Sequence, residues 1–183
     1  MIRVFNLILL AIIIIGCKQT KRLNNEQFLV FHYSERFQFD SIDTIDVHRA
    51  KLTNSFFIYK SNGLKPEGWS TDYRFCTNDS VKPYSVEGIL KVIDRKFIRI
   101  NYPKEQYYYV YRLLTYDHSI DSQTLHFWTP EYGIILSRSL TWRTFDRYEI
   151  LNDEIKNQTI RNICFLIIDD KDFYNLENWE DYK

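Results

Sequence analysis

Short runs of aromatic and β-branched residues, separated by polar turn-forming residues, recur along most of this chain, and helical periodicity is scarce. Residues 28–33 and 37–39 form two such runs; a third, 56–59, ends at Ser61-Asn62-Gly63, a turn composition. Residues 89–93 and 97–102 flank Asp94-Arg95-Lys96 and read as a hairpin closed at Pro103. The longest run is 107–116, and its residues 107–114 are apolar or aromatic on both alternating faces. Either both faces are covered, as in a central strand, or one lines a cavity; a covering layer is the expectation. Residues 125–129 and 134–140 flank Pro130-Glu131-Tyr132-Gly133, where Pro presets a turn angle and Gly relieves the strain. Residues 163–168 are the most apolar run and read as a central strand. Two short helical turns are predicted, one capped by Asn152 through Asp153, Glu154 and Ile155, the other capped by Asp172 with Phe173 and Leu176 on one face. The pattern therefore predicts a mainly β protein: a single antiparallel sheet domain, sandwich or curved half-barrel, with one or two short helices near the C-terminus.

The first residues follow a different logic. An apolar run, 7–15, lies between Arg3 and Gly16-Cys17 and is far shorter than the roughly 20 residues a membrane-crossing helix needs. A short positive region, a short apolar core and a small residue before a cut site describe a signal peptide. Ile14-Ile15-Gly16-Cys17 resembles the lipobox of bacterial lipoprotein precursors, over the first seventeen residues only. That resemblance implies cleavage before Cys17 and acylation of its thiol with diacylglycerol and palmitate, and two or more chains anchor a protein stably where one is marginal. Residues 18–27 are almost entirely polar and read as a tether. Residue 18 is Lys, not the Asp associated with inner-membrane retention, which points to the outer membrane. The expected layout is signal peptide 1–16, lipidated cysteine and tether 17–27, and one β-rich domain 28–183. Asp40-Ser41-Ile42, Asp43-Thr44-Ile45 and Asp79-Ser80-Val81 resemble the O-glycosylation acceptors of the Bacteroidota, so the chain resembles envelope lipoproteins of that group.

Charge and composition narrow the function classes. Lys plus Arg and Asp plus Glu each number 24, and removal of the leader takes away Arg3 alone. A near-neutral balance argues against nucleic acid as a partner, since phosphate contacts need clustered basic residues. The 17% aromatic content accompanies scarce Ala, Gly and Pro, the bias of an AT-rich genome, and by itself implies no binding surface. Beyond Cys17, Cys76 and Cys164 would form one unambiguous bridge in an oxidising compartment. Cys164 lies in an apolar run, however, so two free thiols are expected. His32, His48, His118 and His126 have no spacing that places a pair on one strand or helix face, and no metal or other cofactor is expected. Asp117-His118-Ser119 has the residue types of a hydrolytic triad, but neighbours in sequence point apart and no Gly-x-Ser-x-Gly elbow is present. Asp169-Asp170-Lys171-Asp172 lacks the glycine of a calcium loop and reads as a solvated turn leading to a helix.

The strongest recognition candidates are Trp128 and Tyr132, around Pro130, and Trp142. Their rings could anchor a partner protein or a glycan, or plug one end of the sheet, which is the expectation. The sequence thus favours a non-enzymatic binding or assembly component of the envelope, joined to the membrane through its lipid, with an envelope protein or glycan as partner. The alternatives are a glycan or peptidoglycan hydrolase using a carboxylate pair such as Glu131 and Asp146, and a lipid carrier with an aromatic-lined cavity.

Overall fold

The computed structural model describes residues 24–34, 36, 38–51, 56–63, 70–76, 84–85, 89–101, 104–116 and 123–177. The leader, Cys17, the triplets 79–81 and 117–119, and His118 lie outside the described residues. The described residues form ten strands: β1 (Asn24–Tyr33), β2 (Phe39–Lys51), β3 (Phe56–Gly63), β4 (Ser70–Cys76), β5 (Tyr84–Ser85), β6 (Ile89–Ile100), β7 (Gln106–Tyr116), β8 (Thr124–Thr129), β9 (Gly133–Ser139) and β10 (Phe145–Ile150). Two helices follow, α1 (Glu154–Asp169) and α2 (Lys171–Tyr174). The domain is mainly β, as the pattern predicts, with its helices at the C-terminus.

All pairings are antiparallel, and the order across the sheet is β5-β4-β3-β2-β1-β10-β9-β8-β7-β6. The two outer strands are consecutive in sequence: Ser85 ends β5 and Ile89 begins β6. Residues four apart can be separated by no more than about 15 Å, whereas the edges of a flat ten-stranded sheet would lie about 43 Å apart. The sheet must therefore curl until its edges approach, and β5 does touch β6.

Register decides which face lies inside the curl. Arg112, Phe127 and Leu136 oppose one another across β7, β8 and β9, and Arg147 of β10 continues the row. The helices pack on this face: Phe127 meets the rings of Phe173 and Tyr174, and Arg161 of α1 pairs with Glu149. The opposite face carries Phe28, Val47 and Leu113, nearly devoid of exposure. No described helix contact reaches it, so the sheet's own curvature covers it and makes it the concave side. Both faces of the run expected to be double-sided are covered from Tyr111 to Leu114; nearer the start of β7 only one is, since Tyr107 and Tyr109 are half-exposed.

Four elements depart from expectation. Residues 163–168 belong to α1, not to a central strand. Ile160, Ile163, Cys164 and Ile167 are buried at helical spacing, while Phe165 and Leu166 on the outer side lengthened the apolar run and disguised its period. The expected hairpin at 94–96 is one continuous strand, β6, with a bulge between Val92 and Asp94 that absorbs the polar triplet. Strand β1 starts at Asn24, so the sheet takes in the last residues of the stretch expected to be tether, and β2 runs through both acceptor-like triplets at 40–45.

The helix caps fall beside the residues predicted. Asp153 caps α1 by accepting from the Lys156 N–H, and Asp170 caps α2 by accepting from that of Phe173; Asn152 precedes the first with φ 63°. Asn157 clamps α1 to the sheet: its Oδ1 accepts from the Ile150 N–H at 2.7 Å and its Nδ2 donates to the Ile150 carbonyl at 2.8 Å. At the other end Arg112 Nη1 donates to the carbonyls of Asp172, Phe173 and Asn175, each at 3.0 Å, and Arg138 to that of Tyr174 at 3.1 Å. These guanidinium groups fill the role of missing backbone donors where the last helical turn leaves carbonyls unpaired.

Candidate functional site

Four polar side chains stand in one row across the concave face. His32 of β1 opposes Asp146 of β10, Asp146 opposes Ser137 of β9, and Ser137 opposes His126 of β8. Directly opposed residues bring their Cβ atoms within about 4.5–5.5 Å, so the row is a chain of neighbours. Apolar Leu113 of β7 closes one end, and Ser41 of β2 continues the other.

The inner half is sealed. His126 Nδ1 lies 2.7 Å from Ser137 Oγ, and its Nε2 lies 3.2 Å from Thr115 Oγ1. The Thr115 hydroxyl donates to the Thr124 carbonyl at 3.2 Å, so its oxygen can receive the Nε2–H of His126. Ser137 Oγ also lies 3.3 Å from the Tyr148 hydroxyl. Burial drives the His126 imidazole down to about 4, so it is neutral at neutral pH. A serine hydroxyl against a neutral imidazole has the geometry of a nucleophile and its base. Both side chains are buried on the concave face, where each is engaged by its neighbours on the adjoining strands.

The outer half is open. His32 Nδ1 lies 2.7 Å from Asp146 Oδ1, and Nε2 lies 3.2 Å from Asp43 Oδ2, with the Asp43 side chain 57% exposed and that of His32 30% exposed. Burial raises the Asp146 carboxyl above the usual carboxylate range, opposed by its hydrogen bond and charge attraction to His32. Asp43 lies diagonally across from His32, two residues along β2 from Ser41, and so shares its face. Asp146 is the second residue of β10, directly after the tight turn that carries Trp142, whose side chain is 65% exposed. The turn is held by the Ser139 N–H on the Thr144 carbonyl, by the Trp142 N–H on Ser139 Oγ, and by Arg143 at φ 55°. An exposed indole and an acidic, histidine-bridged pair thus occupy the same end of the sheet.

The other sequence candidates disperse. Trp128 is buried against the Tyr111 ring at 5.6 Å between centroids, and Tyr132 is buried with its hydroxyl 3.3 Å from that of Tyr108. Their turn is closed by the Tyr132 N–H on Thr129 Oγ1 and by Gly133 at φ 80°, a left-handed conformation that glycine adopts without steric cost. Glu131 is exposed on that turn, at the end opposite Asp146. Because Asp146 opposes Ser137, six residues along β9, the two carboxylates are separated by about 20 Å of strand, against the roughly 6.5–9.5 Å of an inverting glycosidase pair. They do not converge.

Cys164 is a free thiol that donates to the Ile135 carbonyl at 3.4 Å, and burial pushes it up to about 12; it is not bridged to Cys76, which lies on β4 with its side chain outside those described. Among the described residues no group of three His, Cys, Asp or Glu could hold a metal ion, and no helix is long and apolar enough to cross a membrane.

Sequence reasoning missed the row because it tested the histidines for spacing within one strand or helix. The row is built from four strands, and its only signal in the sequence is a polar residue at an inward position of each. No protein-family model matches the chain, and no curated protein or solved structure is significantly similar to it.

Proposed function

We propose that this protein is an outer-membrane lipoprotein, held by acyl chains on Cys17, whose sheet domain binds a short envelope glycan without cleaving it. The observation that carries the reading is the open end of the polar row: His32 bridged between Asp146 and Asp43, at the same end of the sheet as the exposed Trp142. Carboxylates accept hydrogen bonds from the hydroxyls of a sugar, and an exposed indole offers its face to the apolar side of a pyranose ring. A binding role is favoured over hydrolysis because Glu131 and Asp146 are far apart and the Ser137–His126 pair is sealed. It is favoured over lipid carriage because the open end of the concave face is lined by His32, Asp43 and Asp146, whose polar groups suit a hydroxyl-bearing ligand, while its apolar residues Phe28, Val47 and Leu113 are buried.

Tryptophan fluorescence titration of the purified protein with peptidoglycan-derived disaccharides and tetrasaccharides tests the ligand. Trp142→Ala and Asp146→Asn should each weaken binding roughly tenfold or more, the scale of one lost charge-assisted contact, with the sugars recovered intact. Absence of binding across the series refutes the glycan reading, and cleaved sugars would replace it with the hydrolase. The anchor is tested separately: the mature chain should take up radioactive palmitate, and Cys17→Ser should take up none. Equal labelling of the two would remove the lipoprotein assignment.

A further inference from the structure

Phe97, Tyr107 and Tyr109 form an exposed aromatic cluster that the proposed glycan site does not use. The three side chains are about half exposed, with Phe97 stacked on Tyr107 at 5.0 Å and tilted against Tyr109 at 4.8 Å. Register puts them on one face of the β6–β7 hairpin, because Phe97 opposes Tyr109 and Arg99 opposes Tyr107. Of the four basic residues from Arg95 to Tyr109, Arg99 pairs with Glu105 at 3.0 Å and Lys96, on the other face of β6, pairs with Asp170, which leaves Arg95 and Lys104 beside the cluster. Arg95 and Lys104 are exposed.

The position of this cluster follows from topology. Strands β1 and β7 have three strands between them in a wholly antiparallel order, so they run in the same direction and begin at the same end of the sheet. Asn24 begins β1 and Gln106 begins β7. Cys17 precedes Asn24 by seven residues, which reach no further than about 25 Å even when fully extended. A lipid on Cys17 therefore holds the aromatic end of the domain close to the bilayer surface.

We infer that the Phe97, Tyr107 and Tyr109 cluster, flanked by Arg95 and Lys104, rests in the headgroup layer of an anionic bilayer. The inference rests on the lipid anchor of the reading above, and not on the glycan. Tyrosine rings partition to the membrane–water interface, where one edge is apolar and the hydroxyl wet, and basic side chains beside them meet the negative surface potential. Docked in this way, the sheet stands with His32 and Trp142 at the end away from the membrane.

The test uses the full lipidated chain reconstituted into phosphatidylethanolamine–phosphatidylglycerol vesicles, with and without brominated acyl chains. Phe97→Trp and, independently, Tyr109→Trp place a reporter in the cluster, and the unsubstituted chain supplies the background of its four native tryptophans. The expected result for either variant is a blue shift and a loss of emission in brominated vesicles that the unsubstituted chain lacks. Emission unchanged by bromine in both variants, while the protein floats with the vesicles, overturns the docking and leaves the anchor intact. Cross-linked dimers in those vesicles, with the reporters indifferent to bromine, would give the cluster to a second copy and also overturn it. Failure of the unsubstituted chain to float would remove the anchor, and the docking with it.

Discussion

His126 makes the domain acid-sensitive in a way that can be isolated from every other titrating group. Its imidazole is fully buried and titrates near 4, against 6.5 when free. The unfolded chain therefore takes up a proton that the folded chain refuses as pH falls through 6.5. Stability is complete above that value, declines between 6.5 and about 4, and stops declining where the folded imidazole also protonates. At 1.36 kcal/mol per pH unit the full window amounts to about 3 kcal/mol, a large share of the roughly 5–15 kcal/mol by which a domain is stable. Carboxylates titrate in the same range, so the measurement must be differential. His126→Gln keeps a neutral polar group beside Ser137 and Thr115 and has no proton to gain. Urea unfolding of both proteins at pH 7.5 and pH 4.5 should show the unsubstituted chain losing about 2–3 kcal/mol more than the variant. Parallel losses would refute the reasoning, as would an imidazole resonance of His126 titrating near 6.5 in the folded protein.

Two further outcomes follow from burial. Trp128→Ala empties a packed site against Tyr111 and should cost about 3–5 kcal/mol in a denaturant melt, whereas Trp142→Ala, on an exposed turn, should change stability by less than about 0.5 kcal/mol; equal costs would show that one ring is misplaced. Cys164, buried and raised to about 12, should stay unmodified by a thiol reagent at pH 8 until the chain unfolds, with the modified site located by peptide mass spectrometry; rapid modification of the native protein would contradict its place on the buried side of α1.

What was legible in the sequence lay within single elements, though not in all of them: β4 and most of β2 were not predicted, and 163–168 read as a strand inside α1. The runs at 107–116, 125–129 and 134–140 became β7, β8 and β9 almost residue for residue, because β-branched and aromatic residues between Pro, Gly and polar turns mark strand ends locally. Strand β10, Phe145–Ile150, escaped notice: Asp146 and Arg147 interrupt its apolar pattern, yet they are satisfied by His32 on one face and by Glu149 with the rings of Phe31 and Tyr33 on the other. A charged residue looks like a loop signal until its partner is known, and these partners are remote in the chain. The same remoteness hid the site. His32 and Asp146 are 114 positions apart, and only the pairing of β1 with β10 makes them neighbours.

That pairing also governs how the domain can assemble. Five of the described strands lead outward from β1 to one edge and five return from the other edge to β10, so the seam joining the two halves is made by the first and the last of the described strands. Each half is a meander of local hairpins that can form early, while the seam must close a loop of over a hundred residues against its conformational entropy. Folding should therefore wait on the C-terminal third of the chain. Until β10 arrives, β1 presents a bare edge bearing Phe28 and Val30, the kind of surface that recruits other chains. A truncation ahead of Phe145 would leave that edge permanently uncovered.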